Sequence, residues 1–195
     1  MKHIELEQNT LAWHKHRQKY INASEVASIM GLNPFETRAQ LLKRKLFNIK
    51  LKDNQSMQKG RILEPQARTF FNQNNQFNFK PKVFVKDYMS ASLDGWDAKR
   101  QNLLEIKCPV SLNTFTWRAF FQENKIPIFY YAQIQAQIYC SEALKAYFLV
   151  YQSNNYSKVK EVQEDEIFIK DMIKQCYLFF QLFQKSKQIQ ETLKF

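Results

Sequence analysis

Three residues near the middle of the chain combine types and spacing that suit phosphoryl chemistry: Asp94, then Glu105 and Lys107. In the run Leu103 to Cys108, alternation puts Leu104, Ile106 and Cys108 on one face and leaves Glu105 and Lys107 to share the other. A carboxylate and an ammonium thus enter the same space. Pro109 ends the strand at once, which sets the pair near an open edge. Asp94 stands in Ser92-Leu93-Asp94-Gly95, and a hairpin across Asp97 to Asn102 brings it beside Glu105. Two carboxylates on one side of a sheet repel unless something positive sits between them. Lys107 does this in part, and a divalent cation does it better. Magnesium prefers hard oxygen ligands, keeps several waters, and binds through one or two carboxylates and a phosphate oxygen. Such a centre polarises a phosphodiester and supplies hydroxide near neutral pH, while a nearby ammonium stabilises charge on the phosphorus. A third acid, Glu64 in Gly60-Arg61-Ile62-Leu63-Glu64-Pro65, lies on a predicted helix that could lay it over the same pocket as ligand to a second cation.

Periodicity and punctuation give the elements that must position these groups. Leu11 to Lys19 reads as a short helix capped by Asn9 or Thr10. Asn22-Ala23-Ser24-Glu25 is a capping-box pattern opening a helix that Gly31 ends. Thr37 to Phe47 and Met57 to Phe71 read as helices, the second with a kink expected at Pro65. The Asn/Gln-rich stretch Asn72 to Asn78 reads as a loop. Lys82 to Lys86, Tyr88 to Leu93, Leu103 to Cys108 and Lys145 to Tyr151 read as strands, and Tyr130 to Cys140 as a helix. Ile169, Met172, Ile173, Cys176, Phe180 and Phe183 recur at helical spacing near the end. Strands flanked by helices at both ends indicate an α/β or α+β sandwich. Gly31, Gly60 and Gly95 are each expected where the backbone turns or is approached closely.

The 195 residues fit one domain, large enough for a core without disulfides. Lys and Arg number 29 against 18 Asp and Glu, a net +11 that attracts a polyanion. Cys108, Cys140 and Cys176 form no C-x-x-C pair, so each reads as a small buried hydrophobe in a reducing compartment. Met1 to Glu5 carries charges where a signal peptide needs an apolar run, and nothing approaches the ~18 apolar residues of a membrane helix. These features predict a soluble cytoplasmic protein with no membrane partner.

Five blocks in order, between about Trp13 and Val150, carry a resemblance. They are Trp13-His14-Lys15-His16-Arg17, Ile21 to Val26, Gly60 to Arg68, Ser92 to Gly95 with Leu104 to Pro109, and Tyr131 to Gln135. Together they resemble the lambda-exonuclease-like, YqaJ-type viral recombinase family of the PD-(D/E)xK nuclease superfamily. The resemblance implies a restriction-endonuclease-like core, a central mixed β-sheet flanked by helices, as a single nuclease domain over 1–195. In it the N-terminal helices (1–56) contribute 5′-phosphate and DNA-channel contacts, the catalytic core covers about 57–151, and a C-terminal helix about 165–193. It implies Asp94, Glu105 and the backbone carbonyl of Ile106 as metal ligands, Glu64 facing a second metal, Lys107 as the catalytic lysine and Gln133 beside it. Arg17 and Ser24 match residues that hold the terminal 5′-phosphate. Ser24 lies in a first helical turn, where free N–H groups favour phosphate, and Arg17 can clamp the same group with paired hydrogen bonds. Leu93 stands where the superfamily's name has proline, and Asn22 where threonine is commoner.

The implied activity is a Mg2+-dependent 5′-to-3′ double-strand DNA exonuclease that resects ends to 3′ single-stranded tails, with Mn2+ able to substitute. The implied partners are duplex DNA with a 5′-phosphorylated end, further copies of the chain in a trimeric ring, and a single-strand annealing protein, in the host cytoplasm if phage-encoded. A structure- or site-directed endonuclease of the same superfamily shares the metal centre but needs no grip on a terminal phosphate. A nuclease with an iron–sulfur cluster needs four cysteines, and this chain has three. A non-catalytic DNA-binding module would make the acids structural. By spacing alone, Gln133 and Gln137 form an ordinary polar helix surface opposite Ile134 and Ile138. Lys43-Arg44-Lys45 reads as a solvated helix face or a channel lining, and Arg118 as a phosphate contact within an aromatic packing segment. Trp13 reads as a core anchor, and Trp96 as either a packing residue or a wedge against DNA.

Overall fold

The hairpin that carries Asp94, Glu105 and Lys107 forms where alternation predicts it, and the rest of the chain is built around it. A computed structural model describes residues 2–50 and 53–193. The chain runs β1 (Lys2–Ile4), α1 (Leu11–Lys19), β2 (Ile21–Asn22), a 3-10 turn (Ala23–Glu25), α2 (Val26–Ile29), α3 (Arg38–Leu46) and α4 (Gln55–Asn75). It continues with β3 (Lys80–Lys86), β4 (Met89–Asp97), β5 (Asn102–Lys107), α5 (Phe115–Glu123), α6 (Ile128–Ser141), β6 (Lys145–Ser153), β7 (Tyr156–Val162) and α7 (Glu166–Thr192).

The sheet is mixed, in the order β1-β3-β4-β5-β6-β7, with β2 beside β4. Among the described residues, only β5 with β6, joined through α5 and α6, and β2 with β4 pair in parallel. Both faces are covered. Leu103, Ala146, Phe148 and Val150 pack with Ile134 and Ile138 of α6 and Met172 and Phe179 of α7. Leu104, Ile106, Cys108, Tyr147, Leu149 and Tyr151 pack with Ala67 and Phe71 of α4. Consecutive residues of β5 thus enter opposite cores, as a period of two requires. This is the expected mixed sheet between helical layers. Among the described residues no helix is long and apolar enough to cross a membrane.

Local signals set most boundaries. The Thr10 hydroxyl accepts from the Trp13 N–H at 3.2 Å and caps α1. Asn22 and Glu25 form the expected capping box, but it opens a 3-10 turn rather than an α-helix directly. Gly31 follows α2 at φ +72, a conformation that suits glycine. α4 runs unbroken through Pro65 and four residues further than expected, to Asn75, before Gln76 in a left-handed conformation closes it. The carboxamide of Asn72 then accepts from and donates to the Phe79 backbone, at 2.9 and 3.1 Å, so these Asn residues serve the helix end rather than a free loop. Gly60 sits inside α4 facing open space, contrary to the close approach expected of it. Gly95 is tight: a Cβ there would lie 2.7 Å from Phe79 Cβ and 3.0 Å from Leu104 Cβ. In α7 Ile169, Met172, Cys176, Phe179 and Phe183 are buried, while Phe180, expected on that face, is half-buried and stacks on Tyr88 at 5.0 Å. All three cysteines are free and buried, as read.

Candidate active site

β4 is the strand on which the site turns. Along one edge it pairs with β3; at the other, β2 takes one end (Ile21↔Met89, Asn22↔Ser90) and β5 the opposite end (Gly95↔Leu104 to Asp97↔Asn102). Lys80 pairs with Trp96 but Lys82 with Leu93, so an extra residue bulges out of β4 at Asp94–Gly95. A bulge re-aims side chains. Here the strands part just before Gly95, and the Asp94 carboxylate reaches into the gap to accept the Ile106 N–H at 2.8 Å.

Glu105 is buried, and three side chains donate to it. Lys107 Nζ at 2.5 Å and Gln133 Nε2 at 2.7 Å share Oε1, and Gln137 Nε2 reaches Oε2 at 2.6 Å. Gln133 and Gln137 are one turn apart on α6, so the helix meets the carboxylate with both amides. Gln137 was readable as ordinary helix surface. It is instead fully buried, and its Oε1 is the one buried side-chain polar atom without a partner among the described residues. A second amide one turn after the first, on a helix otherwise apolar at those positions, is the signal that finds it. Lys107 Nζ also lies 4.8 Å from the Tyr130 ring centroid.

The electrostatics follow from the crowding. Burial, then the charges of Glu105 and Glu64, push the Asp94 carboxyl well above its ordinary value, opposed by Lys107 and the Ile106 N–H. Burial pulls the Lys107 ammonium down, but Glu105, Tyr130 and Asp94 outweigh it and hold it above its ordinary value. The crowding of acids around Asp94 is thus only partly offset by Lys107.

A cavity of about 130 Å³ opens here, lined by Gln8, Trp13, Arg17, Ala23, Ser24, Ser92, Asp94, Glu105, Lys107 and Gln133. Arg17 Nη2 donates to Ser24 Oγ at 2.9 Å, and its guanidinium lies 4.6 Å from the Trp13 ring centroid. Trp13 is half-buried and lies outside both hydrophobic cores, contrary to the core anchor expected; its Nε1–H donates to Ser92 Oγ at 2.8 Å and it lines the cavity. α1 and the turn bearing Ser24 thus stand at the same cavity as the carboxylates. A larger cavity of about 580 Å³ between the start of α6, the end of β7 and the segment that leads into α7 shares no residue with it.

Three expected members are not among the cavity residues: Glu64, Arg118 and Ile106, whose side chain enters the core under α4. Glu64 does not line the cavity; its Oε1 is paired with Arg68 one turn along α4 at 2.9 Å, and Arg68 in turn donates to the Asp94 carbonyl at 2.6 Å. Its charge reaches Asp94, but its oxygens are drawn to the neighbouring guanidinium. Arg118 is exposed on α5 and is not among the cavity residues. Trp96 packs edge-on against Phe84 at 4.9 Å, which decides for packing over a DNA wedge. Lys45 is buried and Arg44 half-buried, so only Lys43 of that basic triplet is a solvated residue.

Among the described residues no three His, Cys, Asp or Glu side chains converge as a ready metal-binding cluster. The cavity does present two carboxylates, a number with which magnesium can bind when phosphate and water complete its shell. Asp94 and Glu105, two buried oxygen acids facing one cavity, are a donor set that could hold a hard divalent cation.

The sequence matches the model of the YqaJ-like viral recombinase domain over residues 12–144. This chain belongs to the YqaJ-like viral recombinase family, a family of nucleases. The YqaJ-like match runs from α1 to the end of α6 and so contains every residue of the cavity except Gln8. No curated protein matches the sequence significantly. Among solved structures, an alkaline exonuclease from Laribacter hongkongensis superposes with a TM-score of 0.81 at 21% identity, over 95% of this chain and 98% of the other. The same enzyme in complex with dAMP gives 0.78 at 22%, over 95% and 98%. A phage-related exonuclease from Haemophilus somnus 129PT gives 0.70 at 15%, over 92% and 99%. Likeness at these identities shows that the YqaJ-like chain shares their fold.

Proposed function

We propose that the protein is a Mg2+-dependent exonuclease that degrades duplex DNA from 5′ to 3′ and leaves 3′ single-stranded tails for recombination. One observation carries this reading: a single cavity is lined both by Asp94, Glu105, Lys107 and Gln133 and by Arg17 and Ser24. The first group suits hydrolysis of a phosphodiester, and the second suits retention of a terminal phosphate. An endonuclease has no need of the second group.

Asp94 and Glu105, with the carbonyl of Ile106, are the proposed holders of magnesium, which when bound polarises the phosphodiester and lowers the pKa of bound water. Manganese should substitute. Gln133 and Gln137 fix the Glu105 carboxylate, the kind of outer support that orients ligands. The Lys107 ammonium, kept charged by its surroundings, stabilises the negative charge that gathers on the phosphoryl oxygens. Arg17, braced on Trp13, offers a planar fork to the terminal phosphate. Glu64 serves a second cation only after leaving Arg68. The net charge of +11 favours a polyanionic substrate, and the complex of a fold relative with dAMP is in keeping with nucleotide release. A ring of several copies and a single-strand annealing protein complete the proposal.

The test is linear duplex with 5′-phosphate or 5′-hydroxyl ends, magnesium present. Mononucleotides released faster from the phosphorylated end, with closed circles left intact, support the reading. Nicked circles would sink it in favour of an endonuclease.

A further inference from the structure

Lys45 lies near the end of α3 with its side chain only 3% exposed. A buried ammonium is tolerated where its charge and its N–H bonds are all answered. Here Nζ donates to the carbonyl of Arg17 at 3.3 Å, the carbonyl of Tyr20 at 2.8 Å and Oε2 of Glu25 at 2.9 Å. The Asn22 amide addresses the same three acceptors, at 2.8, 3.2 and 3.0 Å. Arg44 adds a contact to Glu25 Oε1 at 3.6 Å and is itself held by Glu36 at 2.6 Å.

The three acceptors have a common theme. Arg17 and Tyr20 belong to the last turn of α1 and the corner after it, and Glu25 directly follows Ser24. Lys45 therefore ties the end of the helix that bears Arg17 to the turn that bears Ser24. The side chains of those two residues meet at 2.9 Å in the cavity. An apolar side chain of similar volume would fill the same space, and such replacements of buried ion pairs are often as stable or more so. What the apolar side chain lacks is the directional grip on two carbonyls.

We propose that Lys45 is a positioning residue of the terminal-phosphate clamp, setting the separation of Arg17 and Ser24 from α3 without touching DNA. The proposal rests on the reading of Arg17 and Ser24 as that clamp. Selectivity for phosphorylated ends then depends on a buried lysine in a different element from either gripping residue.

The experiment compares kcat and KM on otherwise identical linear duplexes with 5′-phosphate and 5′-hydroxyl ends, for wild type, Arg17→Ala, Lys45→Met and the double variant Glu25→Gln/Lys45→Met, each with a thermal melt. The double variant removes both members of the buried Lys45–Glu25 pair, so neither is left without the other, and it keeps the test alive if Lys45→Met folds poorly. Arg17→Ala should abolish the preference for phosphate. Both Lys45 variants should cut it at least about tenfold, mainly by raising KM for phosphorylated ends, as expected when gripping groups are misplaced. If Lys45 variants lose rate equally on both ends, or keep the preference while Arg17→Ala loses it, Lys45 is only structural and the proposal falls. If Arg17→Ala keeps the preference, the clamp itself is wrong.

Discussion

Gly95 links packing to chemistry, and replacing it by alanine measures that link. The added Cβ would lie 2.7 Å from Phe79 Cβ, 3.0 Å from Leu104 Cβ and 3.1 Å from Phe79 Cγ. Carbon atoms rest about 3.5–4.0 Å apart, so about 1 Å of relief is needed. Phe79 is buried against Phe71, Phe77 and Tyr147, which leaves it little room to give way. The backbone of the β4 bulge must move instead, and Asp94, the residue before Gly95, moves with it. Overpacking of this kind costs roughly 1–3 kcal/mol, or a fall in Tm of about 2–12 °C for a chain of this size. A 1 Å misplacement near the chemistry costs about 100-fold in rate. The assay is kcat/KM on 5′-phosphorylated duplex beside a thermal melt. Gly60→Ala is the internal control: its Cβ meets nothing within 4 Å on α4, so it should match wild type in activity and gain up to about 1 kcal/mol in stability from helix propensity. A Gly95→Ala protein with the melting temperature and rate of wild type would refute the claim that this approach sets the position of Asp94.

Asp94→Asn should lower cleavage about 1000-fold or more, the loss expected when several kcal/mol of charge stabilisation disappear, while DNA binding in a gel-shift assay persists. The same variant should stabilise the metal-free protein. A carboxyl whose folded pKa is raised binds its proton more tightly folded than unfolded, so wild-type stability falls as pH climbs from the ordinary value of 3.8 through the raised one. Melts in chelator across that range should show the slope in wild type and a smaller one in Asp94→Asn; equal slopes would contradict the charge crowding. Gln137→Met removes the donor to Glu105 Oε2 and should cost about 10–100-fold in activity, with a higher magnesium concentration needed for half-maximal rate as the readout; an unchanged magnesium titration would remove Gln137 from the account. Burial pushes the thiols of Cys108 and Cys176 up to about 12, so a thiol reagent at pH 8 should label the folded protein slowly and the denatured protein at once.

Much of this site is legible in one dimension because its strongest signals are local. Alternation alone assigns Glu105 and Lys107 to one face, and their neighbours Leu104 and Ile106 do enter the opposite core. The capping residue Thr10 gives α1 its start. What escapes are contacts whose partners lie far along the chain. Lys45 reads as solvated because Glu25, its counter-charge, is twenty positions away. Gln137 reads as surface because Glu105 is thirty-two away. Glu64 reads as free to face the pocket, although Arg68, visible one turn later, already answers it. β7, half polar and at the sheet edge, carries too weak an apolar pattern to be read as a strand at all.

The position of the site follows from where the sheet gives up main-chain pairing. Between Ser90 and Gly95, β4 has β3 on one edge and neither β2 nor β5 on the other. Backbone carbonyls left in such a gap must find other donors. Those of Ser92, Leu93 and Asp94 are met by Gln137 at 3.4 Å, Gln8 at 2.9 Å and Arg68 at 2.6 Å. These side chains come from α6, from the segment before α1, and from α4. Each therefore ties a different layer of the molecule to the same three residues of backbone. The gap gives the Asp94 carboxylate room to reach the Ile106 N–H, and the three ties hold it there without a neighbouring strand. Removing any one of them, Arg68 above all because its bond is the shortest and ends on Asp94 itself, should loosen the carboxylate more than it loosens the fold.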